Sequence, residues 1–322
     1  MKLINYILSF LFVLVSLLSL YLYFPTFMNY INSKDIKDNI IKSISLDNIV
    51  PVSGIGSLVN DGDNNYKIGY TGDEYDFDTL YYPYYGLLGD EYKKLYRQIY
   101  ANVVNYNTDF KPIIDINNDD ISLVIESVIY DHPELFWLDN SFSYKYNNLF
   151  KCIQINLKFN NLYDDIENNK IIFESEVERI VDLTKNATND YDKEKIVHDY
   201  LVKHLSYDEK SINNQSAYSA IVSKNSVCAG YSKAFQYILQ KINIPCYYVT
   251  GYSYGDHAWN MVKIDNSYYN VDVTWDNTGN NSYYYFNKSD SDFESSHTRS
   301  DLSNLLPKCY SVNLYYRESY SY

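Results

Sequence analysis

The stretch of this 322-residue chain that decides its fold is residues 226–239, which read SVCAGYSKAFQYIL. From Tyr231 to Ile242, apolar side chains recur at the three- and four-residue spacing of a buried amphipathic helix. Pro245 ends this helix, and Cys228 falls in its first turn. Unpaired N–H groups and the dipole at a helix N-terminus stabilise a thiolate and can hold an oxyanion. Position alone is equally consistent with a nucleophile and with a small cysteine that packs a helix start.

Downstream of this helix, two alternating runs predict a β-hairpin. They read HAWNMVKI (257–264) and SYYNVDVTW (267–275), with Asp265 and Asn266 between them as a two-residue turn. Asp and Asn tolerate the left-handed backbone that such a turn requires. The turn therefore sets which residues face each other. The predicted pairs on the core face are Ile264 with Ser267, Val262 with Tyr269, Asn260 with Val271 and Ala258 with Val273.

This register brings an acid to a histidine. It puts Asp272 diagonal to His257 on the other face, about 7 to 8 Å apart at the backbone. A one-residue slip would place the two on opposite faces. Trp259 is predicted beside Asp272, where it would shield the ion pair from water. We therefore predict a triad with Cys228 as nucleophile, His257 as its base and Asp272 orienting the histidine.

Three ordered motifs resemble the transglutaminase-like superfamily, in its bacterial branch of uncertain substrate. They are VCAGYSKAFQYIL (227–239), GDHAWNMVKI (255–264) and YYNVDVTWD (268–276). Residues 190–208 resemble the helix before the cysteine of that family, and residues 283–297 resemble the tail after the aspartate. The resemblance implies a papain-like α+β fold, in which the nucleophile helix packs on an antiparallel sheet carrying His and Asp. It also implies acyl transfer through a thioester.

The same resemblance has two further consequences. Tyr218 matches a family position just upstream of the cysteine that helps to bind the oxyanion. The sequence has no counterpart of the barrel and sandwich domains that flank the animal transglutaminases, so calcium regulation is not implied. The polar loop 276–281 lacks an EF-hand pattern and is predicted to be a solvated turn.

Residues 1–30 predict a membrane anchor or signal segment. After Lys2 no charged side chain occurs until Lys34, and an apolar run of about 20 residues is long enough to span a bilayer as a helix. Because no small-x-small site follows, an uncleaved anchor is favoured over a cleaved signal peptide. Lys2 favours a catalytic body outside the cytoplasm, held at the membrane or secreted if the segment is cleaved.

Three regions are predicted beyond that segment. Residues 31–85, rich in Gly, Asp and Asn, read as an irregular lead-in. Residues 86–185 read as a small α+β accessory region, and residues 186–322 as the transglutaminase-like catalytic domain. The predicted helices begin at Asp90, span about 119–130 and 162–186, and begin again near Asp190; the predicted accessory strands are 141–146 and 151–159.

The amino-acid composition limits the classes of molecule that the protein is expected to bind. The formal net charge of −14 disfavours nucleic acid, because phosphate binding needs clustered Lys and Arg. The four cysteines show no metal-ligand spacing, so no metal and no cofactor are predicted, and at most one disulfide. The predicted partner is a protein or peptide amide, which the enzyme hydrolyses or transamidates. The alternative is a non-catalytic cell-surface binding protein, which the 39 tyrosines would suit, although compositional drift explains that count as well.

Overall fold

The computed structural model describes residues 50–59, 65–277 and 283–310. The predicted anchor or signal segment, residues 1–30, lies outside this part of the chain. Within the described part, no helix is long and apolar enough to cross a membrane. All described residues belong to one compact unit, Asp47–Tyr322.

Helices and strands are mixed along the chain, as the α+β prediction requires. The helices are α1 (Pro83–Leu87), α2 (Asp90–Val104), α3 (Ile121–Asp131), α4 (Ile166–Val181), α5 (Asp190–His204), α6 (Cys228–Lys241), α7 (Val273–Asn277) and α8 (Asp290–Phe293). The strands are β1 (Ser53–Leu58), β2 (Asp109–Phe110), β3 (Leu138–Tyr146), β4 (Cys152–Phe159), β5 (Ser206–Tyr207), β6 (Asn225–Ser226), β7 (Cys246–Tyr252), β8 (Asp256–Ile264), β9 (Ser267–Val271) and β10 (Thr298–Arg299).

Two four-stranded sheets organise these elements. The first has the order β1-β3-β4-β2 and the second the order β10-β7-β8-β9. All neighbouring strands of the second sheet are antiparallel. Helix α6 packs on β7 and β8, and its apolar face, including Tyr231, Phe235 and Ile238, is fully buried. The predicted arrangement of a nucleophile helix on an antiparallel sheet is therefore confirmed.

The β8–β9 hairpin has the register that its turn predicts. Asp265 adopts the left-handed conformation, with φ 53°. The observed pairs include Ile264 with Ser267, Val262 with Tyr269 and Asn260 with Val271.

The predicted pairing beyond Val271 is wrong, because strand β9 ends there and helix α7 begins at Val273. Asp272 lies at the junction, and its Oδ1 accepts the backbone N–H groups of Thr274 and Trp275, each at 3.0 Å. Such bonds are how a short acidic side chain caps a helix N-terminus. Because Asp272 caps helix α7, strand β9 ends at Val271, and the predicted pair of Ala258 with Val273 does not form.

The predicted lead-in contains a strand that the sequence pattern does not show. Residues 53–58 pair in parallel with β3. A Cβ added at Gly54 would lie 2.4 Å from the ring of Phe142, and one at Gly56 would lie 2.6 Å from the ring of Tyr144. The two glycines thus admit the rings of the neighbouring strand. Glycines interrupt the apolar alternation on which a strand prediction rests, so the sequence pattern does not predict this strand.

The helices of the accessory region lie close to their predicted positions. Helix α2 begins at Asp90, as predicted, and helix α3 spans most of 119–130. The long helix predicted over 162–186 is shorter: α4 is flanked by 3₁₀ turns at Asn161–Asp165 and Asp182–Thr184. Helix ends of this kind tighten because their terminal groups lack intrahelical partners.

Candidate active site

Cys228 is the first residue of α6 and is fully buried. The residue before it, Val227, is extended, with φ −103° and ψ 178°. Its N–H donates to the carbonyl of Asn214 at 3.1 Å, which ties the helix start to the preceding loop. The N–H groups of the first helical turn have no intrahelical acceptor. The thiol therefore lies where the helix dipole favours negative charge, as the sequence predicts.

His257 and Asp272 form a buried hydrogen-bonded pair. Nε2 of His257 lies 2.7 Å from Oδ2 of Asp272, and both side chains are fully buried. Burial would raise the pKa of Asp272, but the charge of His257 and hydrogen bonds from His257 and His297 hold that pKa well below its usual range. The carboxylate is therefore ionised at neutral pH and fixes the orientation of the imidazole.

The other imidazole nitrogen of His257 is left for the cysteine. Nδ1 is buried and has no hydrogen-bond partner in the described chain other than the neighbouring Cys228. Burial would lower the pKa of His257, but the negative charges of Asp272 and Cys228 raise it to about 10. An imidazolium beside Cys228 is thus stable at neutral pH. The three predicted residues therefore come together, with His257 between Asp272 and Cys228.

A second histidine, His297, binds the same carboxylate and was not predicted. Its Nε2 lies 3.1 Å from Oδ2 of Asp272, and its Nδ1 lies 2.8 Å from Oγ of Ser296. Burial lowers the pKa of His297, and the charge of His257 lowers it further, although hydrogen bonding to Asp272 opposes both. His297 is therefore a neutral donor at neutral pH. No spacing or periodicity connects it to an aspartate 25 residues away.

His257, Asp272 and His297 also present three potential metal-ligand atoms within 4.8 Å of one another. Both imidazoles, however, direct Nε2 at the same carboxylate oxygen. A cation would have to replace the proton in each of these hydrogen bonds. The geometry thus fits a proton-holding network better than a metal centre.

Tyr207 lies beside the nucleophile, although it was not predicted there. The parallel pairing of β5 with β6 places Tyr207 opposite Ser226, two residues before Cys228. Burial raises the pKa of Tyr207, and negative charge on Cys228 raises it further. Its hydroxyl contacts the backbone N–H and the thiol of Cys228, and no other residue of the described chain hydrogen-bonds to it. The phenol therefore stays protonated at neutral pH, with its hydroxyl against the first turn of α6.

Tyr218, for which the resemblance implies a role in binding the oxyanion, hydrogen-bonds to α4. Its hydroxyl donates to Oδ1 of Asn169 at 2.9 Å. Its ring lies 5.0 Å from that of Phe136 and 6.2 Å from that of Phe173. Tyr218 thus belongs to an aromatic cluster beside α4. The resemblance implies Tyr218 for the oxyanion, whereas the pairing of β5 with β6 brings Tyr207 to Cys228.

Trp259 covers the two histidines. Its ring centroid lies 6.2 Å from that of His257, nearly parallel, and 5.0 Å from that of His297, edge to face. Its Nε1 donates to Oδ1 of Asn270 at 3.2 Å, which fixes the indole. The structure therefore places Trp259 against the imidazoles rather than directly opposite Asp272. From there it excludes water from the hydrogen-bonded pair.

Comparison with known proteins places these residues in a recognised region. Residues 178–273 match the family model of the transglutaminase-like superfamily. Kyphoscoliosis peptidase of Mus musculus is 24% identical over 116 residues, which are 30% of this chain and 18% of the relative. Kyphoscoliosis peptidase of Homo sapiens is 25% identical over 130 residues, which are 34% of this chain and 20% of the relative. The chain thus spans about a fifth of the length of the curated relatives it matches.

A crystal structure of a TGase aligns with a TM-score of 0.31 and 18% sequence identity, over 52% of this chain and 50% of that chain. The family match itself includes Cys228, His257 and Asp272, together with α6 and the β8–β9 hairpin. Residues 178–273 of this chain are thus similar to the core domain of the transglutaminase-like superfamily.

Proposed function

We propose that this chain is an extracytoplasmic cysteine enzyme that cleaves or transfers the acyl group of protein or peptide amides through a thioester intermediate. The observation that carries the proposal is the state of His257. Its Nε2 is bonded to Asp272 at 2.7 Å, while its buried Nδ1 has no other described hydrogen bond and lies next to Cys228. A nucleophile, a base and an orienting acid in this order are the parts that acyl transfer needs.

The geometry supports the following sequence of steps. The Cys228 thiolate attacks the amide carbonyl carbon, and the electron pair of the C=O bond moves to the oxygen. The backbone N–H of Cys228 and the hydroxyl of Tyr207 donate to this oxyanion. His257 gives its Nδ1 proton to the departing amine as the C–N bond breaks, which leaves a thioester on Cys228. His257 then takes a proton from water or from a primary amine as its oxygen or nitrogen attacks the thioester carbonyl carbon. The C–S bond breaks and returns the Cys228 thiolate, which gives hydrolysis with water and transamidation with an amine.

We favour hydrolysis of a peptide bond over transamidation. The triad serves both reactions, so the choice depends on the group that reaches the thioester. The curated relatives that the chain matches are called peptidases. The proposed location outside the cytoplasm rests on the apolar N-terminal run after Lys2 and on the positive-inside rule.

One observation favours a second candidate, a cell-surface binding protein that keeps the fold without catalysis. Cys228, His257 and Asp272 are all fully buried, so a substrate reaches the thiol only if neighbouring side chains move. The reactivity of the thiol separates the two candidates. An enzyme predicts rapid alkylation of Cys228 at neutral pH, and a binding protein predicts an inert thiol.

The experiment that tests the proposal uses the full chain beside its Cys228→Ala variant. Each is incubated with an unstructured glutamine-rich protein and a tagged primary amine, and the products are read by mass spectrometry. New peptide ends that require Cys228 establish a protease, and tag on glutamine establishes a transglutaminase. Cys246→Ala is the matched control, because Cys246 is another fully buried thiol, on β7. Loss of product in both variants, or in neither, contradicts the assigned role of Cys228.

A further inference from the structure

Lys233 is a buried cationic side chain without an anionic partner. Only 8% of its surface is exposed. Its ammonium lies 5.6 Å from the ring centroid of Tyr248, and it has no hydrogen bond or ion pair within the described chain. Lys241, on the same helix α6, differs: it is more exposed and pairs with Glu174 at 2.8 Å. An isolated buried charge is costly, so its retention at Lys233 requires an explanation.

The side chain of Lys233 is also charged at neutral pH, so the missing partner is that of a buried cation. Burial alone lowers the pKa of Lys233 to about 8, with no charged neighbour contributing. The amine therefore remains mostly protonated at neutral pH. The interior of the molecule thus presents a positive charge that no side chain of the described protein neutralises.

Lys233 lines a cavity of about 170 Å³ between α6, the segment after α3 and the loop 213–217. One wall is apolar and includes Ile129, Leu135 and Leu138. The volume exceeds that of several water molecules and suits a small organic group. None of Cys228, His257 and Asp272 lines this cavity, so it is separate from the triad.

The acid on the cavity wall is already engaged. Oδ1 of Asp139 accepts the N–H and the hydroxyl of Ser141, at 2.9 and 2.7 Å. Its other oxygen, Oδ2, pairs with Lys158 at 3.3 Å. Asp139 therefore does not serve as the counter-ion of Lys233. Its negative charge also disfavours a dianion such as phosphate in the same cavity.

We propose that this cavity is a binding site for a carboxylate with a single negative charge on an apolar body, and that Lys233 is its counter-ion. The lone ammonium matches one negative charge, and the apolar wall matches an aliphatic or aromatic group. Two sources share this chemistry: a free small carboxylic acid, and the C-terminal residue of a peptide. The proposal stands apart from the proposed acyl transfer, because it requires no reaction at Cys228.

The test is a titration of the full chain with methyl-labelled Ile and Leu, followed by NMR. The probes are 3-phenylpropionate as a free acid, a short peptide ending in leucine with a free carboxylate, and the neutral amide of that peptide. We expect the methyl signals of Ile129, Leu135 and Leu138 to shift with a carboxylate probe and not with the amide. The acid and the peptide, compared directly, identify the source.

Matched variants show whether Lys233 supplies the charge. Lys233→Met keeps the length of the side chain and should weaken carboxylate binding by about tenfold or more, as loss of a charge-assisted bond does. Lys241→Met, on the same helix, should leave the affinity unchanged. Binding of the amide as tightly as the acid overturns the proposal, and that comparison needs no variant. Equal affinity in the folded Lys233→Met variant, or no methyl shift with either carboxylate, also overturns it.

Discussion

Nε2 of His297 lies 3.1 Å from Oδ2 of Asp272, the oxygen that also accepts from His257 at 2.7 Å. The second donor fixes the carboxylate from a direction that His257 does not use. His297 is therefore a positioning residue, which acts on His257 through Asp272. Outer partners of this kind hold a base in its productive orientation.

Replacing His297 tests this role. His297→Phe keeps a ring in the aromatic packing but removes the donor, and we expect kcat to fall by about tenfold, the lower range for loss of an orienting partner. His297→Gln offers an amide N–H in place of Nε2–H and should recover part of that loss. Steady-state kinetics with thermal unfolding as a control make the comparison. Equal rates for His297→Phe and the unmodified protein contradict the role.

The pKa of His257 gives a second prediction. Asp272 is the largest influence that raises this pKa, and Cys228 is the next. We therefore expect Asp272→Asn to lower the pKa of His257 more than Cys228→Ala does. NMR titration of the imidazole measures both shifts. A pKa that stays near 10 in Asp272→Asn would show that another group holds the proton on His257.

The same pKa predicts how stability depends on pH. The pKa of His257 is raised from 6.5 in the unfolded chain to about 10 in the folded protein. The stabilisation is thus fully present below pH 6.5 and is lost as the pH rises through about 10. The free energy of unfolding should fall across this window in the unmodified protein and fall less in His257→Gln. Urea titrations at several pH values measure the difference, and parallel pH profiles would contradict it.

Tyr207 and Tyr218 provide a matched pair for the oxyanion. The Tyr207 hydroxyl lies at Cys228, whereas the Tyr218 hydroxyl donates to Asn169. We expect Tyr207→Phe to lower kcat by about a hundredfold, as loss of one oxyanion donor does. Tyr218→Phe should leave kcat within about twofold, because its hydroxyl donates to Asn169 rather than to a group at Cys228. A larger loss of kcat in Tyr218→Phe than in Tyr207→Phe would instead support Tyr218 as the residue that binds the oxyanion.

Residues that act through local patterns could be predicted from the sequence. The helical spacing of Tyr231, Phe235 and Ile238 defines α6 and puts Cys228 at its start. The turn at 265–266 sets the hairpin register and brings His257 towards Asp272. The helical spacing and the two-residue turn each involve only neighbouring residues. Both can therefore be recognised without knowledge of the rest of the fold.

Residues that depend on distant pairing could not be predicted. Tyr207 reaches Cys228 through two parallel strands of two residues each, which leave no alternation to detect. His297 reaches Asp272 from a segment beyond the hairpin, joined to it by no repeat or spacing. Strand β1 pairs with β3 across more than 80 residues, and Gly54 and Gly56 interrupt the apolar alternation by which β1 could be recognised. In each case the fold, not the local sequence, makes the contact.

Gly230 gives the last prediction, because it lets the loop before α6 lie against the helix that carries the nucleophile. A Cβ at this position would lie 1.9 Å from Oγ of Ser226 and 2.8 Å from the carbonyls of Asn214 and Ser216. Ala ordinarily stabilises a helix relative to Gly by about 1 kcal/mol. Here the backbone carbonyls cannot move without breaking the bond from Val227 to Asn214 that holds the helix start.

We therefore expect Gly230→Ala to destabilise the protein by about 2 kcal/mol, as overpacking of a tight core does. It should also slow alkylation of Cys228, because the displaced loop moves the first helical turn. Gly89→Ala is the control: no atom lies within 4 Å of its added Cβ, and its φ of −70° suits alanine. Urea unfolding and peptide mass spectrometry of Cys228 measure the two effects. If both variants unfold at the same urea concentration, the loop is free to move, and the position of the first helical turn depends less on this contact than the structure indicates.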